Sequence, residues 1–317
     1  MSAPSSPPSE PTIDSADRLN VEEVAEALSL VNAVTEADDV SPLSEHVLLH
    51  LRHGGDDGDC HIRVRIDCQL VGYAHLDLTD PVAGPCAELA VAPSFRRRGI
   101  GHLLVDKLTE LSPRGHLRLW AHGGHSDAAH LARAHHFNQA RELWQMRRSL
   151  FANLPNARFP EGIVLRTFEP GRDNDAWLAV NAEAFADLPD QGNWQADDLT
   201  NHLAEPWCDL NGFLVAEDAE DGRLVGFHWT KVHGAHPGNG TDGHGHEAIG
   251  EVYVIAVANH WRGTGLGRAL LLAGLSHLRT CGLSAAMLYV DAVNSGAVAL
   301  YESLGFARWD TDILFSR

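Results

Sequence analysis

Arg262-Gly-Thr-Gly-Leu-Gly267 and Arg96-Arg-Arg-Gly-Ile-Gly101 are two copies of one pattern, R-x-x-G-x-G, in a single chain of 317 residues. Each follows an apolar strand-like run, Glu88 to Val91 or Val252 to Val257, and each opens a helical period, Ile100 to Leu111 or Leu266 to Cys281. Glycines at such a junction let the backbone approach a bulky anion, and the first amides of the helix point at it. The ligand that suits the loop is the pyrophosphate of a nucleotide-like cofactor. The neighbouring residues keep the register: Ala90-Val91-Ala92 matches Ala256-Val257-Ala258, and Phe137 matches Phe306 after a small shift. A repeat this long is a duplicated domain, and the expectation is a duplicated acyl-CoA-binding module.

Composition removes several other functions. The net charge is −19, from 43 acidic residues against 24 Lys and Arg, and no basic run offers a face to nucleic acid. Backbone amides and a few arginines still bind an anionic cofactor locally. Five scattered cysteines without C-x-x-C spacing read as free thiols in a reducing cytosol. No apolar run approaches the ~20 residues of a membrane span. The first residues lack the basic and apolar segments of a secretory signal, so residues 1–15 read as a disordered tail. A cytoplasmic monomer is expected, with no nucleic-acid or membrane partner.

Between the loops the periodicity predicts helices over Val21 to Val34, from a Ser41-Pro42 start through Leu51, and over Ser126 to His135. Strands are predicted over His61 to Asp67, Leu70 to Leu78, His116 to Ala121 and Glu142 to Leu150. A Pro- and Asn-bearing linker covers 151–162, dividing a first domain, 16–150, from a second, 163–317. The second is expected to carry a strand Ile163 to Phe168 and a helix Asp173 to Phe185. A hairpin, Phe213 to Glu217 with Leu224 to Val232, and the elements Ala286 to Val290, Ser295 to Leu304 and Ala307 to Phe315 follow. The fold class is α/β. The segment 233–246 holds four histidines among glycines; with no fixed ligand spacing it reads as a mobile loop, and no metal is expected.

Strand, R-x-x-G-x-G loop and helix, then strand, Asn294, Tyr301 and Leu304-Gly-Phe306, resemble the GCN5-related N-acetyltransferase (GNAT) family. The resemblance implies two tandem GNAT domains, each a mixed, largely antiparallel sheet flanked by helices. Gly226-Phe-His-Trp-Thr-Lys-Val-His233, Gly250-Glu-Val-Tyr-Val254, Leu288-Tyr-Val290 and Gln145-Met-Arg147 look like the mycothiol synthase family of actinobacterial tandem acetyltransferases. That likeness implies acetyl-CoA as donor and the cysteinyl amine of Cys-GlcN-Ins as acceptor, in the last step of mycothiol formation.

The resemblance also implies site residues. Glu251 would be general base, and its plain alternative is a salt-bridging carboxylate. Tyr301 would be general acid to the departing thiolate, and its alternative is a core tyrosine. Ile255, Ala256 and Val257 would offer main chain to the acetyl group. Arg262, Gly263, Thr264, Gly265, Leu266, Gly267 and Arg268 would cradle pyrophosphate. The turn Asn294, Ser295, Gly296, Ala297, Val298 and Ala299 would flank the pantetheine arm. In the first copy Leu89, Ala90, Val91, Arg97, Arg98, Gly99, Ile100, Gly101 and His102 take the corresponding places. There, however, His125 and Ala132 stand where Asn294 and Tyr301 would be, so that domain is expected to be catalytically silent. Glu45, Asp190, Lys231, Glu251 and Tyr289 would contact the acceptor. A tandem acetyltransferase for another amine and a non-catalytic acyl-CoA sensor are the competing functions. A glycosidase and a Cys-His hydrolase lack readable site pairs.

Overall fold

The computed structural model describes residues 10–54, 58–80, 84–186, 188–233 and 248–317, without the side chains of residues 53, 114, 189 and 190. Among the described residues no helix is long and apolar enough to cross a membrane. The chain forms two compact units: residues 1–143 with 310–317, and residues 144–309.

The first unit contains β1 (Thr12–Ala16), α1 (Val21–Asp38), α2 (Glu45–His53), β2 (Asp59–Ile66), β3 (Gln69–Asp77) and β4 (Cys86–Val91). It continues with α3 (Ile100–Leu111), β5 (Arg118–Ala121), α4 (Ser126–Ala134), the start of β6 (Asn138–Ser149) and the end of β12 (Ala307–Ser316). Its strands run β1-β2-β3-β4-β5-β12, antiparallel except for β4 beside β5. Ile100, Leu104, Val105 and Leu108 of α3 pack with Ile62, Val64 and Leu76 in one core. Ala27, Leu30, Val31 and Val34 of α1 join Tyr73 and Ala90 in another.

The second unit holds the rest of β6, then β7 (Ile163–Thr167), α5 (Asn174–Ala184), α6 (Pro189–Gly192), α7 (Ala196–Leu203), β8 (Phe213–Asp218) and β9 (Leu224–His233). After these come β10 (Ile249–Val257), α8 (Leu266–Thr280), β11 (Ala285–Asp291) and α9 (Ser295–Ser303). Its order is β6-β11-β10-β9-β8-β7. Here β10 and β11 are parallel, and the pairs from β7 through β10 are antiparallel. Leu271, Leu272, Leu275 and Leu278 of α8 are buried in a core with Val252 and Leu288. Each fully buried leucine contributes roughly 1.5–3 kcal/mol, so this stripe anchors the helix.

Several sequence expectations change. Residues 12–15 of the supposed tail are strand: Thr12 to Ala16 pair with Arg65 to His61, and Asp14 bonds Arg63 at 2.7 Å. That strand is mostly exposed and held by backbone pairing, so no apolar alternation announced it. The second helix starts at Glu45 with Ser44 as cap, whereas Ser41 closes a turn onto Leu43. Helices α6 and α7 fill a stretch that had no assignment. The domain division also shifts: residues 144–150 belong to the second unit, and residues 310–317 to the first. A strand at a seam serves whichever sheet its backbone pairs with, and β12 pairs with β5 from Ile313↔Ala121 to Ser316↔Arg118. Apart from His233, which ends β9, the histidine-rich segment 233–246 lies outside the described residues.

Candidate active site

Parallel strands that stop pairing before they end create a slot. In the second unit β10 and β11 pair only at Gly250↔Ala286, Glu251↔Met287 and Val252↔Leu288, although β10 runs on to Val257. A bulge between Val252 and Val254 lies where the pairing with β11 ends. It also turns the strand over: Val252 packs with α8 and α9, whereas Val254 and Ala256 pack with Trp177 and Phe213. Beyond the bulge, the peptide groups of Ile255, Ala256 and Val257 continue along the parting edge. The first unit repeats this: β4 pairs β5 only at Cys86↔Arg118 and Ala87↔Leu119 but extends to Val91.

Each slot leads to a helix start of the same make. Gly265, at φ 93°, caps α8, and Gly99, at φ 84°, caps α3. A side chain at either φ is strained, which is why glycine stands there. Neither cap glycine makes a side-chain cap bond, Leu266 N lies 3.4 Å from Thr264 Oγ1, and the amides of such a helix start suit an anion. Two residues earlier the copies differ: Gly263 has φ 78°, and Arg97 holds φ 61°.

Glu251 sits just before the bulge, 7% exposed. Across the sheet it stands opposite Lys231, and it accepts a 2.6 Å hydrogen bond from His233 Nε2. Lys231 and His233 share one face of β9 because strand side chains alternate. Lys231 Nζ lies 4.4 Å from the centre of the Trp207 ring and 5.3 Å from that of Tyr253. Sequence reading had placed His233 in a loop and had passed over Trp207 and Tyr253. The alternation Lys231-x-His233 beside Glu251 was the signal that could have found the histidine.

Tyr301, 8% exposed, lies in α9 with its ring against Phe306, 5.9 Å between centroids. Burial pushes its phenol up to about 12. The hydroxyl has no hydrogen-bond partner among the described residues. Asn294 accepts from the Ala297 amide at 3.1 Å and so caps α9. Ser295 and Gly296 form the exposed start of that helix, Ala297 and Val298 pack on the α8 core, and Ala299 is exposed. Arg268 donates to Ser303 Oγ at 2.8 Å, Arg262 to the Ala184 carbonyl at 3.3 Å, and Thr264 to the Trp261 carbonyl at 2.7 Å. Tyr289 is 40% exposed on β11 and its hydroxyl accepts from Gln145 at 2.8 Å. Asp190 lies in α6, its side chain outside the description; Glu45 opens α2 in the first unit.

In the first unit, Leu89, Ala90, Val91, Arg97, Gly99, Ile100, Gly101 and His102 line one cavity of about 790 Å³. Arg98 is not among its lining residues and lies over the Phe95 ring instead. Arg96 is held by both oxygens of Asp38, at 2.8 and 2.7 Å. His125 caps α4 and Ala132 is buried in it. Ala132 stands where Tyr301 does, since Phe137 N bonds the Ala132 carbonyl as Phe306 N bonds that of Tyr301. A further group was not foreseen. His122, which lines the cavity, sits between Asp312 Oδ2 at 2.9 Å and Glu88 Oε2 at 3.7 Å. Burial opposes its charge, but the two carboxylates prevail and raise it to about 10.

The sequence pattern of the Acetyltransferase (GNAT) family matches residues 26–137 and again 177–306. A mycothiol acetyltransferase of Acidothermus cellulolyticus is 53% identical over 295 residues, covering 91% of this chain and 89% of that one. One from Salinispora arenicola is 49% identical over 315 residues, 99% of each chain. Among solved structures, a GCN5-related N-acetyltransferase from Sphaerobacter thermophilus superposes with a TM-score of 0.67 at 24% identity, over 96% of this chain and 95% of that one.

Proposed function

Because this chain belongs to the GNAT family, as one of its tandem mycothiol acetyltransferases, we propose that it moves acetyl from acetyl-CoA to the cysteinyl amine of Cys-GlcN-Ins, closing mycothiol synthesis. The observation that carries the reading is the slot of the second unit, with a buried carboxylate at its bulge and a buried phenol on α9.

The donor lies with its pyrophosphate on the amides that open α8, between Arg262 and Arg268, and its thioester along Ile255 to Val257. Asn294 to Ala299 border the pantetheine arm. The acceptor amine, with a pKa of about 8, attacks in its neutral form and gives one proton to Glu251 through water as the bond forms. His233 holds that carboxylate by its 2.6 Å bond. The amine nitrogen attacks the carbonyl carbon, the new C–N bond forms, and main-chain amides beyond the bulge hold the oxyanion. The C–S bond then breaks. Tyr301 keeps its proton across the working pH range, because its phenol is raised to about 12. It therefore stabilises the departing sulfur first as a hydrogen-bond donor. The thiolate takes that proton as it leaves, and the phenol is refilled by the proton removed from the amine. Lys231, Tyr289 and Asp190 contact the acceptor. The first unit, with Ala132 where the acid would stand, binds donor in its cavity without turnover.

The test is thiol release from acetyl-CoA with Cys-GlcN-Ins, wild type beside Glu251→Ala, Tyr301→Phe and an Arg97→Ala first-loop variant. Turnover lost in the first two and kept in the third supports the assignment. Folded wild type that binds acetyl-CoA but does not turn over this acceptor refutes it and leaves another amine or a sensing role.

A further inference from the structure

One cluster of metal-ligating side chains in the first unit has no part in the transfer chemistry. His50 of α2, Asp59 of β2 and His75 of β3 bring one ligand atom each to within 4.8 Å of one another. His50 Nδ1 lies 2.7 Å from Asp59 Oδ2, and His75 Nε2 lies 3.5 Å from the same oxygen. The side chains of Asp59 and His75 are each only 1% exposed, that of His50 13%. We propose that His50, Asp59 and His75 form a divalent-metal site that takes Zn²⁺.

Three observations carry it. A carboxylate so deeply placed requires positive charge beside it, which a cation held between the two imidazoles would supply. His75 Nε2 is buried, faces the carboxylate, and has no hydrogen-bond partner among the described residues. Its 3.5 Å separation is long for an N–H···O bond but matches the ~3.3 Å between two ligands of a tetrahedral Zn²⁺ with ~2.0 Å bonds. Second, the donors are two imidazoles and one carboxylate, a set that suits Zn²⁺ and leaves a fourth position for water. Third, an outer layer is present. His61 lies 5.4 Å from His75 with the rings tilted at 57° and bonds the Tyr73 hydroxyl at 2.8 Å, and His46 lies 4.0 Å from His50, ring centre to ring centre. Such partners orient ligating rings. The ion would tie α2 to the β2–β3 hairpin. No spacing rule finds these residues, because they meet only after α2 folds onto the hairpin.

The experiment uses the full chain, stripped with chelator and dialysed, then titrated with Zn²⁺ alone by calorimetry and with Co²⁺ followed by visible absorption. Variants are His50→Ala, whose side chain is the most exposed of the three, and Asp59→Asn. A third replaces three histidines of the segment 233–246 (His236→Ser, His244→Ser, His246→Ser) to separate adventitious binding by that segment. Each is checked for folding by circular dichroism. The expected result is one tight equivalent per chain and a tetrahedral Co²⁺ spectrum, kept in the triple-serine variant. His50→Ala, still folded, should bind more than ~100-fold more weakly, beyond the loss typical of an outer-layer partner. Wild type that binds no ion, binding that disappears in the triple-serine variant, or binding that His50→Ala leaves intact would each overturn the proposal.

Discussion

Asp312→Asn isolates one charge in the first unit. Its oxygens receive His122 Nδ1 and the Gly123 amide, both at 2.9 Å. Asparagine can still accept from Gly123, so the substitution removes the charge and keeps most of the shape. The His122 pKa is about 10 in the fold against an ordinary 6.5, a rise of about 3.5 (10 − 6.5), which is on the order of 5 kcal/mol. A raised histidine stabilises the fold fully below pH 6.5, and the contribution is lost as pH climbs through about 10. Glu88 remains at 3.7 Å in the variant, so the loss at pH 6 is about 3 kcal/mol, the lower end for a broken buried pair. The assay is urea unfolding followed by circular dichroism at pH 6, 7.5, 9 and 10.5, with the His122 ring titrated by NMR. The gap between wild type and variant should shrink steadily toward pH 10.5. A gap under about 0.5 kcal/mol at pH 6, the size of an ordinary surface substitution, would refute the reasoning. So would a gap that does not change with pH.

Glu251→Gln should lower kcat/KM by about 10²–10⁴ with the fold intact, measured by thiol release; a loss under tenfold would remove it as base. Tyr301→Phe should cost less than about 1 kcal/mol in stability, because its hydroxyl has no partner among the described residues to lose, yet slow turnover by about 10²-fold. With the phenol raised to about 12, the wild-type rate should show no fall from loss of this proton below about pH 11, and a fall near pH 10 would contradict its burial. Gly265→Ala must force a side chain into φ 93°, costing roughly 1–2 kcal/mol, and should weaken acetyl-CoA binding by calorimetry more than Gly282→Ala does.

The glycine loops, their strands and the helices behind them were legible because local chemistry fixes them. A left-handed cap demands glycine, and an amphipathic α8 declares its apolar face. What escaped notice depended on partners distant in the chain. β1 is exposed and exists through pairing with β2. α7 is eight residues long, too short for its period to register, and its start rests on Gln195 and Asp198. The bulge at Tyr253, where β10 leaves β11, leaves no mark in a run that reads as one strand. Glu251 and Tyr301 came from family likeness. Their burial, the His233 bond and the Glu88–His122–Asp312 group required coordinates, since none of these contacts lies within reach of a sequence window.

The membership of residues 310–317 in the first unit has a consequence for biosynthesis. Domains are generally expected to fold in the order in which the ribosome makes them. Here the strand beside β5, and with it the counter-ion that His122 faces through Asp312, is translated only after all of residues 144–309. Until then the nascent first unit carries an open sheet edge and a buried imidazole missing one of its two carboxylates, so its completion must trail the synthesis of the unit made after it.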